Sequence, residues 1–182
     1  MDPKYVVDTS MLLRRNNKGV YDEAAFPVQW RNFDRLVEQG KIISIDLVEI
    51  ELTRYNHEEY NEWIDNYKYV FKKLDNKSLK SLEDLNQRYD ELSQKNFKKK
   101  SIADIPLVAF AKSNNFTLVT QETYNYKQNM SQKKIKIPTL CDLEGAKCTM
   151  ESCDKFYANK SYAFECIDFV ELIKRENLQI SI

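Results

Sequence analysis

The sequence has only three glycines, four prolines and one histidine in 182 residues. So few chain breakers argue against a many-turned β-sandwich and for helices with few interruptions. The lone histidine, His57, excludes ribonuclease chemistry by two histidines working as acid and base. No run of about 18 apolar residues occurs, so no membrane-spanning helix and no membrane partner are expected. A P-loop, a G-x-G-x-x-G turn and a G-x-S-x-G nucleophile elbow are all missing. Net charge is missing too: 28 basic side chains balance 28 acidic ones. The chain as a whole therefore exerts no pull on nucleic acid, and binding RNA would need a local patch or bridging metal ions. The start, Met1 to Tyr5, lacks the shape of a signal peptide, so a cytoplasmic location is expected. The four cysteines, Cys141, Cys148, Cys153 and Cys166, contain no C-x2-C pair. Thiols are expected there rather than a zinc site.

What is present suits one domain over 1–182: the length allows a real core, and 42% of residues are apolar. Tyr5-Val6-Val7 reads as a central parallel strand. Phe26, Trp30, Phe33 and Val37 recur at helical spacing, with Gly40 closing the helix. Ile42-Ile43 is a second strand, followed by a helix from about Asp46 to Tyr55. Residues 58–100 read as a helical arm, an αα-hairpin packed on the body. One of its stripes is Trp63, Tyr67, Phe71 and Leu74, the other Leu79, Leu82, Leu85, Tyr89 and Leu92. The basic run ending the arm, with Lys98, Lys99 and Lys100, is either a solvated loop or a phosphate-contacting patch. Residues 102–113 are apolar nearly all round and predict a buried helix. Phe116 to Thr120 is a strand, Ile135 to Ile137 and Lys147 to Thr149 are expected edge strands, and a last helix is expected from Cys166 to Glu176. Strands alternating with helices predict an α/β fold, a parallel sheet covered on both faces.

Four acids stand out. Asp8 ends the first strand and Glu122 follows the strand ending at Thr120, where ligands of open parallel sheets bind. Glu51 has Leu47 and Val48 one turn before it and Tyr55 one turn after, so it lies on the apolar stripe of its helix. A carboxylate there is costly unless it is paired or binds a cation. Asp104 is placed by Pro106, which is tolerated only in a helix's first turn. Alone, Asp8, Glu122 and Asp104 read as loop acids or helix caps. Together, four carboxylates converging on one pocket would repel one another. Mg²⁺ or Mn²⁺ relieves that, and two such ions ~4 Å apart activate water and steady the leaving oxygen of a phosphodiester.

Tyr5-Val6-Val7-Asp8-Thr9-Ser10 resembles the opening strand of PIN-domain nucleases, as do Glu51-Leu52, Ala103-Asp104 and Thr120-Gln121-Glu122 in their places. Phe26-Pro27-Val28-Gln29-Trp30, Glu62-Trp63, Leu118 to Glu122 and Lys136 to Cys141 resemble a PIN-like branch of bacterial and archaeal proteins. The resemblance covers roughly residues 4–148. It implies a three-layer α/β/α fold with a five-stranded parallel sheet, and cleavage of RNA with Mg²⁺ or Mn²⁺. Asp8, Glu51, Asp104 and Glu122 would be the metal-binding, catalytic acids, with Thr9, Ser10 and Thr120 as hydroxyls orienting them. It further implies a toxin role with an antitoxin partner, and a second copy of the chain as a further expected partner. The chain departs from the pattern at Glu122, where many PIN proteins have Asp, in its long arm, and in an expected insertion at about 149–165. The aromatics Phe156, Tyr157, Tyr162 and Phe164 in that region either pack or stack on bases. The rival function is a non-catalytic PIN-like module that binds RNA or protein. A receiver domain is a poor match, because neither Val7-Asp8 nor the segment after Thr120 carries its motifs.

Overall fold

Short apolar runs become the strands of the computed structural model, which describes residues 4–16, 21–55, 58–96, 101–124, 136–149 and 162–180. The strands are β1 (Tyr5–Val7), β2 (Ile42–Ile45), β3 (Phe71–Lys72), β4 (Thr117–Val119), β5 (Ala146–Cys148) and β6 (Phe164–Ile167). Every residue of β1, β2 and β4 is buried, as expected of strands covered on both faces. The order is β3-β2-β1-β4-β6-β5, and every pairing is parallel. Tyr5 stands opposite both Ile42 and Thr117, and Val119 opposite both Val7 and Ile167. The carboxyl ends of β1, β4 and β6 are therefore level. The chain runs outward from β1 through β2 to β3, then returns to β4 on the other side of β1. That reversal opens a crevice beyond the ends of β1 and β4, the usual ligand site of open α/β sheets.

The helices are α1 (Thr9–Leu12), α2 (Pro27–Glu38), α3 (Asp46–Thr53), α4 (Glu58–Asn66), α5 (Asn76–Asn96), α6 (Asp104–Asn114), α7 (Ile137–Leu143) and α8 (Phe169–Glu176). Right-handed crossovers in opposite directions put the two helix groups on opposite faces of the sheet. On one face α2 meets α8, where Trp30 stacks on Phe169 with centroids 4.6 Å apart. Pro27 opens α2, and Gly40, at φ 71°, ends it in the left-handed conformation that glycine adopts without strain. On the other face α5, α6 and α7 converge on Glu144, just past α7, whose side chain is fully buried. It accepts bonds from Lys112 at 2.7 Å, Arg88 at 2.9 Å and Tyr89 at 2.7 Å. The result is a three-layer α/β/α architecture.

Several expectations need correction. Among the described residues the parallel sheet has six strands, not five. The region 58–100 is not a plain αα-hairpin: α4 is followed by a 3-10 turn at Lys68–Val70 and by β3, which pairs with β2. Phe71, assigned to a helical stripe, lies on that strand; pairing with an open sheet edge overrides the local period there. Cys166 belongs to β6 rather than to the last helix, which starts after Asp168, whose carboxylate caps the Glu171 N–H at 2.8 Å. Phe164-Glu165-Cys166-Ile167 is too short for its pattern to distinguish strand from helix. The tail of the expected 149–165 insertion, Phe164-Glu165, is thus part of the sheet, between β4 and β5. Ile137 opens α7 with Pro138 in its first turn, instead of closing an edge strand. The expected strand at Lys147 to Thr149 is β5, and it does form an edge. Cys141, Cys148 and Cys166 are buried. No helix among the described residues is long and apolar enough to cross a membrane. His57, Lys98, Lys99, Lys100, Ile135, Cys153, Phe156 and Tyr157 lie outside the described residues.

Burial pushes the Glu144 carboxyl up, but Lys112, Tyr89 and Arg88 together hold it below its ordinary value. Removing it strands Lys112 and Tyr89, while Arg88 is exposed enough to rehydrate. Glu144→Ala is expected to lower stability by about 2 kcal/mol, read as an earlier urea midpoint at pH 7. The difference between the two proteins should shrink as pH falls through the carboxyl range, because the wild-type contribution is lost on protonation.

Candidate active site

Asp8 is the residue after β1 and is 2% exposed. Its Oδ2 accepts three hydrogen bonds: from the Ser10 N–H at 3.1 Å, from Ser10 Oγ, and from Thr120 Oγ1 at 2.9 Å. The first of these makes Asp8 the cap of α1. Each hydroxyl is itself held from behind. Gln121 N–H donates to Ser10 Oγ, and Glu122 N–H donates to Thr120 Oγ1, both at 3.1 Å. The segment after β4 is thereby bolted to the segment after β1.

Glu51 faces inward from α3 at 5% exposure. Thr9 Oγ1 donates to its Oε2 at 2.6 Å, while its Oε1 accepts from the Ile102 N–H at 2.6 Å and the Ala103 N–H at 3.1 Å. Those two N–H groups lead into α6, so Glu51 serves as a cap supplied from another helix. Asp104 is the first residue of α6 and accepts from Ser101 Oγ, while no side chain of the preceding residue caps the helix. Glu122 reaches across to the start of α7, where its Oε2 accepts from the Ile137 N–H at 2.8 Å. The structure thus brings Asp8, Glu51, Asp104, Glu122, Thr9, Ser10 and Thr120 to one crevice. Lys98, Lys99 and Lys100 cannot be placed, being outside the described residues.

Electrostatics ties the acids together. Burial, with the Glu122 charge adding to it, pushes the Asp8 carboxyl up to about 6 against the bonds from Ser10 and Thr120. Asp104 is held well above the usual carboxylate range by burial, by the charges of Asp8 and Glu122, and by Glu51. The contrast with other acids in this chain is sharp. Glu144 is answered by Lys112 and Arg88, Glu176 by Lys4 and Lys41, and Asp34 by Arg15. Among the described residues, none of Asp8, Glu51, Asp104 and Glu122 makes an ion pair.

The donor set suits a hard divalent cation: oxygen ligands only, in like-charge surroundings that a cation would relieve. It is not a closed cage, since no three His, Cys, Asp or Glu side chains among the described residues are arranged to hold an ion. All three side-chain-directed bonds to Asp8 fall on Oδ2, whereas both oxygens of Glu51 are taken. Binding would therefore use Asp8, Asp104 and Glu122 more readily than Glu51. The signal for Glu51 as a helix cap was not in the sequence, because its partners, Ile102 and Ala103, are 51 and 52 residues away.

A carboxyl raised in the folded chain keeps its proton where the unfolded chain has released it. Asp8 should thus make the metal-free protein less stable as pH rises from about 4 to about 6, by up to about 3 kcal/mol. Urea unfolding of wild type and Asp8→Asn at pH 4.5, 6 and 7.5 checks this. The wild type should lose ground to the variant across the series, and Mn²⁺ should restore only the wild type. Parallel pH slopes would show that Asp8 carries no such proton.

The family model described as "Domain of unknown function (DUF4411)" matches residues 5–164. No curated protein matches the chain. Among the solved structures similar to it are two. One is VapBC2 from Rickettsia felis bound to a DNA fragment from their promoter, at TM-score 0.44 and 17% identity, covering 74% of this chain and 96% of that one. The other is PAE2754 from Pyrobaculum aerophilum, at TM-score 0.38 and 20% identity, covering 77% and 95%.

Proposed function

The chain belongs to this DUF4411 family, and we propose from its own site that it is a metal-dependent endoribonuclease. The carrying observation is the set of four clustered acids without a counter-charge among the described residues, whereas buried Glu144 and part-buried Asp34 and Glu176 are each paired with Lys or Arg. Their place supports the reading, since the crevice beyond β1 and β4 is where an open parallel sheet takes its ligand. So does the resemblance of the same residues to PIN-domain nucleases.

In this reading Asp8, Asp104 and Glu122 hold Mg²⁺ or Mn²⁺. Glu51 adds charge and anchors the start of α6, and would have to give up hydrogen bonds to become a ligand itself. When bound, the ions supply an activated water and charge neutralisation for in-line hydrolysis of a phosphodiester. The protein's part is orientation. Thr120 and Ser10 fix one Asp8 oxygen, and Thr9 fixes Glu51. Both Ser10 and Thr9 spend their protons on carboxylates, so neither is a poised nucleophile and no covalent enzyme intermediate is invoked. RNA is the proposed substrate, with Lys98, Lys99 and Lys100 as proposed phosphate contacts. A toxin role with an antitoxin partner and a second copy of the chain extends the reading on the sequence resemblance alone.

A specific observation favours a second reading, a non-catalytic RNA- or protein-binding module: the acids do not form a ready-made metal cage. Cleavage assays separate the two. Wild type should cut single-stranded RNA with Mn²⁺ or Mg²⁺ and stop with EDTA. Asp8→Asn and Asp104→Asn should each lose about a hundredfold or more. Thr120→Val should lose about tenfold, as expected for a group that only orients a ligand. Wild-type RNA binding without cleavage under all these conditions moves the assignment to the binding module.

A further inference from the structure

Ser101 and Asp104 stand at S-x-x-D spacing where α6 begins. At a helix start that spacing usually serves the backbone: the serine oxygen accepts from the acid's N–H, and the acid accepts from the serine's N–H. This start is built differently. Ala103, not Ser101, stands directly before the helix, and the open N–H groups of Ile102 and Ala103 are taken by Glu51 from α3, at 2.6 and 3.1 Å. The Ser101 hydroxyl is turned onto a side chain instead and donates to Asp104 Oδ1. Elsewhere the chain spends such pairs on the backbone: Asp75 Oδ1 accepts from the Ser78 N–H and Asp168 Oδ1 from the Glu171 N–H, both at 2.8 Å.

Among the described residues this is the one hydrogen bond to the Asp104 carboxylate, whereas Asp8 and Glu51 each accept three. Asp104 is therefore the acid of the crevice whose orientation depends most on a single donor. An aspartate without such a bond samples several rotamers and loses that freedom when an ion fixes it. We propose that Ser101 is a positioning residue of the metal site, its hydroxyl holding Asp104 Oδ1 and leaving Oδ2 as the oxygen available to a cation. This rests on the metal-dependent reading above and adds to it a residue outside the four acids and their three hydroxyls. Ser101 acts through Asp104 alone and touches neither ion nor substrate. The arrangement repeats that of Asp8, where the donors also gather on one oxygen of the carboxylate. A neutral hydroxyl suits the task, since a lysine or arginine there would pair with Asp104 and take the place of the cation. Losing a donor that orients a metal ligand typically weakens binding about 10- to 100-fold, and the lower end is expected because Asp104 keeps its charge.

The test uses the full chain with Ser101→Ala, which removes the hydroxyl, and Ser101→Thr, which keeps it. Free Mn²⁺ is read by electron paramagnetic resonance during titration, and thermal melting of each protein is followed in EDTA. The expected result is about tenfold weaker Mn²⁺ binding by Ser101→Ala and binding within about twofold of wild type by Ser101→Thr. The metal-free Tm values should agree to within about 3 °C. Mn²⁺ binding unchanged by Ser101→Ala overturns the proposal and leaves the metal-dependent reading standing. A loss that Ser101→Thr does not restore, or one accompanied by a metal-free Tm lowered by more than about 3 °C, overturns it in favour of a role in building the start of α6. If the wild type itself binds no Mn²⁺, the metal-dependent reading falls and takes this proposal with it.

Discussion

Little water reaches Asp8, and three other acids share its crevice. Most features of the site answer that one constraint. A carboxylate at 2% exposure loses most of its solvation, and each nearby like charge makes ionisation harder. The protein replaces some of the lost water with donors. Two hydroxyls and a backbone N–H converge on one oxygen, and each hydroxyl is oriented by a further N–H. These bonds lower the Asp8 carboxyl but do not cancel burial, which leaves it at about 6. Neutral donors offset only part of the cost of a buried charge; a cation removes the rest.

The same bonds also tie elements of the fold together. The crevice lies at a strand-order reversal, where no ladder continues past the strand ends. Ser10 and Thr120 tie the β1 and β4 exits to each other, Ser44 Oγ ties β2 to the Val7 carbonyl at 2.7 Å, and Glu51 pins α3 to the start of α6. Site and scaffold therefore share their polar contacts. A substitution at Thr9, Ser10 or Thr120 changes the position of an element as well as the orientation of a carboxylate. Elsewhere the chain solves the same burial problem differently: Glu144 clamps three helices with Lys112, Arg88 and Tyr89. The use of cationic partners there and not in the crevice separates a structural acid from acids kept available.

The central strands, the inward face of Glu51 and the start of α6 were legible in the sequence, because each leaves a local mark. Tyr5-Val6-Val7 is apolar throughout, Glu51 breaks an apolar stripe, and Pro106 admits few helix starts. The outer part of the sheet was not. Phe71 and Cys166 sit in segments too short to distinguish helix from strand, and only pairing with β2 or β4 decides between them. Asp168 did offer a helix-start signal, as an acid three residues before the Glu171 N–H that it caps. The direction of the Glu51 oxygens has no local mark at all, since it depends on what stands opposite in space.

Glu122 shows how a departure from a family pattern acquires a physical reason. The resemblance to PIN domains suggests Asp at this position, and on sequence alone the longer side chain reads as a looser ligand. In the structure the extra methylene is used. Oε2 spans from the exit of β4 to the Ile137 N–H at the start of α7 and satisfies a donor that a helix start leaves open. That helix leads directly to Glu144, which grips α5 and α6. The acidic crevice is thus mechanically joined to the far face of the molecule through one short helix with a carboxylate near each end. An aspartate at 122 would keep the charge but would shorten the reach to α7, and the link would pass only through backbone packing.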